Sequence, residues 1–188
     1  MPKTLLIATK NQGKAREFRE MLGSGWKVLT MADLPGRPAV VEDGATFEEN
    51  AIKKALEVGR MENCLVLADD SGLEVDALGG APGVYSARFA GEPANDAKNN
   101  TLLLRKLMGV QVSRRGAQFR CVLALAKGKK LLHTVEGICR GRILTLPKGS
   151  GGFGYDPLFV PNGYSESFAQ LGAEAKHQLS HRGKAMAL

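Results

Sequence analysis

The sequence is short of the residues from which disulfide scaffolds, zinc sites and membrane spans are built. Its 188 residues include three cysteines, three histidines and one tryptophan, and aromatics make up only 6%. Cys64, Cys121 and Cys139 are far apart, odd in number and free of Cys-x-x-Cys spacing. Each lies in an apolar or strand-like context, so reduced packing residues are expected rather than disulfides or zinc ligands. So few histidines leave a zinc site little to build on. No apolar run approaches the ~20 residues that span a bilayer. Met1-Pro2-Lys3-Thr4-Leu5 opens without the apolar segment and small-residue cleavage site of a secretory leader. The expectation is a cytoplasmic protein with no membrane contact. Internal repeats, low-complexity tracts and linkers are also missing. The chain therefore reads as one domain over residues 1–188, long enough to bury roughly 70% of its unfolded surface.

Hydrophobic residues make up 44% and charged residues 24%, ordinary values for a globular protein. The 26 basic residues outnumber the 19 acidic ones, for a net charge of +7. That excess suits a polyanionic partner, and nucleic acid, nucleotides and phosphates qualify equally.

Leu65-Val66-Leu67-Ala68 reads as a short buried strand running into Asp69-Asp70 and then a Ser71-Gly72 turn. Strand alternation sends the two carboxylates to opposite sides unless the turn has begun to rotate them. A carboxylate pair at a strand's C-terminal end sits where open α/β sheets place ligand crevices. Such a pair can hold a hard cation, or one member can act as general base toward water. An Asx-turn accounts for the same residues without any chemistry.

Thr4 to Ala8 reads as a first buried strand, followed by the polar turn Thr9-Lys10-Asn11-Gln12-Gly13-Lys14 and a helix from Lys14 to Leu22. Strand, polar loop and helix N-terminus together make an anion site, to which Lys10 and Lys14 add full charges. Alternatively Asn11 caps the helix and both lysines face water. Thr46-Phe47-Glu48-Glu49 is a capping-box pattern opening a helix to Met61. On it Lys53 is placed for surface pairs with Glu49 and Glu57. Lys54 shares a face with Asn50 and is the lysine with reach for a ligand. Glu42-Asp43-Gly44 precedes this helix as an acidic turn.

Further on, Asp96 to Met108 reads as a helix. Ala117 to Ala126 and Lys130 to Ile143 read as paired strands joined at Lys127-Gly128-Lys129. Gly149-Ser150-Gly151-Gly152-Phe153-Gly154-Tyr155-Asp156-Pro157 is the most glycine-dense loop and leads into the strand Leu158-Phe159-Val160. Phe153 and Tyr155 there offer flat faces on which a base could stack, or else turn inward. Ser167 to Gln170 reads as a capped short helix. Ser180-His181 without a third partner is not a triad, and a helix cap explains it first.

The ordered set Thr9 to Lys14, Thr46 to Ala51, Ala68 to Leu73, Leu78-Gly79-Gly80-Ala81-Pro82-Gly83 through Arg88, Gly152 to Pro157 and Ser180 to Arg182 resembles the inosine/xanthosine triphosphate pyrophosphatase family. The resemblance covers Leu5 to Arg182. It implies hydrolysis of the non-standard purine nucleotides ITP, dITP and XTP to monophosphate and pyrophosphate. It also implies an α/β fold: an elongated, two-lobed, mixed and curved β-sheet flanked by helices, with a central nucleotide-binding cleft. A homodimer and dependence on Mg²⁺ are implied as well, with no nucleic-acid partner.

Carried over by residue, Thr9, Lys10, Asn11, Gln12, Gly13 and Lys14 match a triphosphate loop. Glu42 and Asp70 match metal-linked carboxylates, with Asp69 assisting and Asp70 as proton acceptor. Ser71 matches a substrate contact, and Lys54 matches the family lysine. Phe153, Gly154, Tyr155, Asp156, Lys176, His181 and Arg182 match nucleoside positions. Donors from His181 or Arg182 to a 6-keto oxygen would favour inosine and xanthine over adenine by ~1–3 kcal/mol per group. The sequence departs from the pattern in two places. Only Ala185 to Leu188 follow Gly183-Lys184 where the family has a longer helix, which predicts either looser positioning of His181 and Arg182 or a trimmed form of the chain. Lys10 stands where the family often has a small residue.

Two rival readings weigh on the same residues. An aspartyl-phosphate phosphatase would use Asp69 or Asp70 as nucleophile, but usually through Asp-x-Asp. A nucleic-acid module would alternate aromatic and basic residues along strands, whereas here the aromatics gather in a glycine loop.

Overall fold

The structure, a computed structural model, describes residues 3–38, 40–62 and 64–188. It is an α/β protein with one mixed six-stranded sheet. The strands are β1 (Lys3–Ile7), β2 (Trp26–Thr30), β3 (Leu65–Val75), β4 (Gly116–Lys127), β5 (Lys130–Ile143) and β6 (Phe159–Pro161). Their order is β2-β1-β3-β4-β5-β6. β1 is parallel to β2 and β3, whereas β6 is antiparallel to β5. The helices are α1 (Gln12–Leu22), α2 (Phe47–Met61), α3 (Asp96–Lys106), α4 (Ala173–Leu179) and α5 (His181–Met186). No helix among the described residues is long and apolar enough to cross a membrane.

Two compact units divide the chain. The first comprises residues 1–70, 121–136 and 185–188, and the second residues 71–120 and 137–184. In the first, the β1–α1–β2 crossover brings Leu5 and Ile7 against Phe18, with Leu67, Cys121 and Leu123 closing the core. Parallel β1 and the first half of β3 are buried, in keeping with the apolar runs Leu5-Leu6-Ile7 and Leu65-Val66-Leu67-Ala68. In the second, Leu73, Leu103, Phe119, Phe159 and Phe168 share one core. Phe119 meets Phe159 edge-on with centroids 4.7 Å apart and lies nearly parallel to Phe168 at 6.0 Å.

Two expectations change in kind. No turn occurs at Ser71-Gly72: β3 continues to Val75, so Asp69 and Asp70 sit inside a strand rather than at its end. Ser71 and Gly72 are turn-prone in isolation, but β3 lies between β1 and β4, and a paired interior strand overrides local turn chemistry. Ser167 to Gln170 form a turn rather than a helix. The Ser167 hydroxyl donates to the Lys148 carbonyl, and its N–H donates to the Gln170 side chain. The remaining differences are small: α3 ends at Lys106 and β6 starts at Phe159. Cys121 and Cys139 are buried packing residues, and Cys64 is half-buried.

Candidate active site

In the first unit, polar side chains from α1, α2 and β3 converge. The capping box at Thr46 closes as the sequence predicts. Thr46 Oγ1 accepts from Glu49 N at 3.1 Å, and Glu49 Oε2 accepts from Thr46 N at 3.2 Å. One residue on, Asn50 grips the acidic turn: Gly44 N donates to its Oδ1 at 2.8 Å. A Cβ at residue 44 would press on that same oxygen, so the turn requires glycine. One turn further along α2, Lys54 is buried and its Nζ reaches Glu42 Oε1 at 2.8 Å, Asp70 Oδ1 at 3.2 Å and the Asp69 carbonyl at 2.6 Å. Lys53 points away to Asp43 at 2.6 Å, in place of the expected pairs with Glu49 and Glu57.

Strand alternation separates the adjacent carboxylates, as it must in continuous β3. Asp69 Oδ1 pairs with Lys14 Nζ, and its Oδ2 accepts from the Cys121 thiol at 3.2 Å. Both oxygens are engaged on that side, so the Asp69 carboxylate does not hydrogen-bond Lys54 as those of Glu42 and Asp70 do. Asp70 is different: its Oδ2 is buried and has no hydrogen-bond partner. Burial pushes the Asp70 carboxyl above the usual range, against the pull of Lys54 and Lys14. Burial also works against the Lys54 ammonium, but the charges of Asp70 and Glu42 prevail and hold it protonated.

Among the described residues, no three His, Cys, Asp or Glu side chains gather as a metal cluster. Glu42 and Asp70 are nonetheless joined through one ammonium, and an unsatisfied carboxylate oxygen lies beside it. That donor set fits Mg²⁺, which binds through one or two carboxylates and fills its shell with phosphate and water oxygens.

The polar turn after β1 folds more tightly than expected. Asn11 is the N-cap of α1 and accepts from Lys14 N at 3.0 Å, so Gln12, Gly13 and Lys14 form the first helical turn. Thr9 Oγ1 accepts from Asn11 N at 3.1 Å. Lys10 is exposed, and Lys14 turns back onto Asp69.

In the second unit the glycine loop is a rigid bracket. Asp156 is buried and its Oδ2 accepts from Phe153 N at 2.9 Å and from Lys176 Nζ at 2.5 Å. Gly152 has φ +74°, and a Cβ there would collide with that carboxylate, so no other residue fits. The Phe153 ring is half-buried with Lys176 Nζ 4.8 Å from its centroid and Arg182 Cζ 5.9 Å away. Tyr155 is not a stacking face: it is 4% exposed and its hydroxyl donates to the Ser86 carbonyl at 2.8 Å. Burial raises its phenol well above the ordinary value.

His181 stacks on Phe119 at 4.8 Å and 12°, and Arg182 is 1% exposed with Nη2 donating to Ser71 Oγ at 2.9 Å. Both side chains are buried. Ser180 Oγ accepts from Gly183 N at 3.0 Å, which is the helix-cap role, not a nucleophile's. Sequence reasoning missed Asp96, Asn99, Asn100 and Cys121. Asp96 and Asn100, one turn apart on α3, were visible as an i, i+4 polar pair, but their target lies more than fifty residues away and left no local signal.

The Ham1 family model matches residues 5–188. A dITP/XTP pyrophosphatase of Desulforamulus reducens is 55% identical over 97% of this chain and 91% of its own length. One from Geobacter sulfurreducens is 49% identical over 98% and 93%. The structure of the Staphylococcus aureus Ham1 protein, 41% identical, superposes with a TM-score of 0.85 over 98% of this chain and 95% of that one. A HAM1 protein from Coxiella burnetii gives 0.86 at 36% identity, over 98% and 95%. On sequence and architecture alike, this chain is a member of the Ham1 family.

Proposed function

We propose that the protein is a nucleoside triphosphate pyrophosphohydrolase that converts ITP, dITP and XTP to the monophosphate and pyrophosphate, acting in the cytoplasm on the nucleotide pool. Near-full-length relatives named dITP/XTP pyrophosphatase support the reaction. The observation that carries the chemistry is the buried Asp70 carboxylate with one oxygen unengaged beside Lys54 and Glu42. A carboxyl raised by burial is a better base toward water than an exposed one. In the proposed reaction Asp70 takes a proton from water while the water oxygen bonds to the α-phosphorus. The bond from that phosphorus to the α–β bridging oxygen breaks, and pyrophosphate leaves. Lys54 and Lys14, with Thr9, Lys10, Asn11, Gln12 and Gly13, supply donors and positive charge to the phosphate oxygens.

Glu42 and Asp70 would hold Mg²⁺, which supplies charge neutralisation and acidifies bound water. In the second unit, the half-buried Phe153 face suits purine stacking. Ser71, Gly154, Tyr155, Asp156, Lys176, His181 and Arg182 are assigned to nucleoside recognition, Tyr155 and Asp156 by fixing the loop. The family resemblance supports a single ITPase-like domain working as a homodimer, without nucleic acid.

A panel of ITP, dITP, XTP, ATP and GTP with Mg²⁺, read for pyrophosphate, tests the proposal. Pyrophosphate from the inosine and xanthine nucleotides in preference to ATP is expected. Orthophosphate as the sole product, or a trappable aspartyl-phosphate, would favour a phosphatase instead.

A further inference from the structure

We infer that Asp96 and Asn100 of α3 are positioning residues for purine recognition, holding the Phe153 loop through the backbone of Gly154. The inference rests on the proposed nucleotide reading. The loop has little intrinsic shape: Gly149, Gly152 and Gly154 all take positive φ, where glycine has many alternatives of similar energy. Inside the loop the Phe153 backbone is tied to a single residue, its N–H donating to Asp156 Oδ2 at 2.9 Å and its carbonyl accepting from Asp156 N at 3.3 Å. The next residue is gripped from outside on both of its polar groups. Gly154 N donates to Asp96 Oδ2 at 2.7 Å, and Gly154 O accepts from Asn100 Nδ2 at 2.9 Å.

The two gripping side chains are four apart on one face of α3, and α3 itself is fixed by Leu103 and Leu107 in the core. Between them, Asn99 accepts from Ala90 N at 2.8 Å and donates to the Ala87 carbonyl at 2.9 Å, tying the segment that also receives the Tyr155 hydroxyl at Ser86. The loop is thus referenced to two helices just after Phe153: through Gly154 to α3, and through Asp156 and Lys176 to α4. Of the two bonds from α3, the one to Asp96 uses a carboxylate acceptor, the stronger kind. Neither Asp96 nor Asn100 belongs to the residues assigned to substrate contact above, and each acts through Phe153.

The test compares ITP turnover with inhibition by inorganic tripolyphosphate, which has phosphates but no base, in the wild type, Asp96→Ala, Asp96→Asn and Asn100→Ala. The expected result is a KM for ITP raised roughly tenfold in Asp96→Ala and Asn100→Ala, about the worth of one hydrogen bond to a charged or well-fixed group. The value of kcat and the inhibition by tripolyphosphate should stay within about twofold. Asp96→Asn keeps an acceptor oxygen and should recover most of the loss. Equal weakening toward ITP and tripolyphosphate, or an unchanged KM, overturns the inference. Should Asp96→Ala fail to fold, the Asn100→Ala and Asp96→Asn arms still decide it. A wild type that does not hydrolyse ITP at all would refute the function, an outcome separable from failure of the clamp alone.

Discussion

At the scale of single residues, position in a strand separates two chemically identical neighbours. Asp69 is locked between Lys14 and the Cys121 thiol, while Asp70 keeps a buried oxygen without a partner. Asp70→Asn should cost at least about two orders of magnitude in turnover of ITP, the usual contribution of a general base. Its circular dichroism should remain native, and retained turnover would remove Asp70 from the mechanism. For Phe153→Ala the expected loss is selective: weaker binding of ITP, with binding of tripolyphosphate preserved. Equal losses in calorimetry would refute stacking there.

Lys54 provides a pH prediction with a definite sign. Its folded pKa lies above the ordinary 10.5 because Asp70 and Glu42 outweigh burial. The stabilisation is complete below that pH and is lost as the pH rises through the raised value. Denaturant unfolding of wild type and Lys54→Met should therefore converge at strongly alkaline pH, with the wild type losing more.

At the scale of elements, the starts of α2 and α3 were legible and the course of β3 beyond Asp70 was not. Thr46-Phe47-Glu48-Glu49 carries its own capping chemistry within four residues, so sequence suffices to place α2 and the face bearing Asn50 and Lys54. Thr46→Ala should lower stability by about 1 kcal/mol in denaturant unfolding, the ordinary worth of such a cap. Ser71-Gly72 misled because their turn preference is local, whereas pairing on both sides of β3 is supplied by distant segments. The glycine loop was recognisable by composition, yet its shape was not. Asp156 and Lys176, and Gly154 with α3, meet across long sequence separations. Gly152→Ala should release Asp156 from Phe153 and Lys176. A fall in thermal midpoint accompanied by weaker ITP binding is the expected pair of outcomes.

At the scale of the whole molecule, each of the two units has its own apolar core and a different polar equipment. The first unit carries carboxylates and lysines suited to phosphate chemistry. The second carries an aromatic face with buried cations beside it. The α/β class and the family were legible in the sequence because the motifs are contiguous strings. Which carboxylate keeps a free oxygen was not legible, since it depends on Lys14 and Cys121 closing around Asp69 from other strands and helices. The net charge of +7 pointed to a polyanion without naming it, and the local clusters supply the chemistry that charge alone lacked.

The position of water attack is the most direct measurement of all this. Hydrolysis of ITP in oxygen-18 water, followed by mass spectrometry of both products, should place the label in the monophosphate and leave pyrophosphate unlabelled. Label in the pyrophosphate would put attack at the β-phosphorus and contradict a mechanism in which Asp70 directs water to the α-phosphorus.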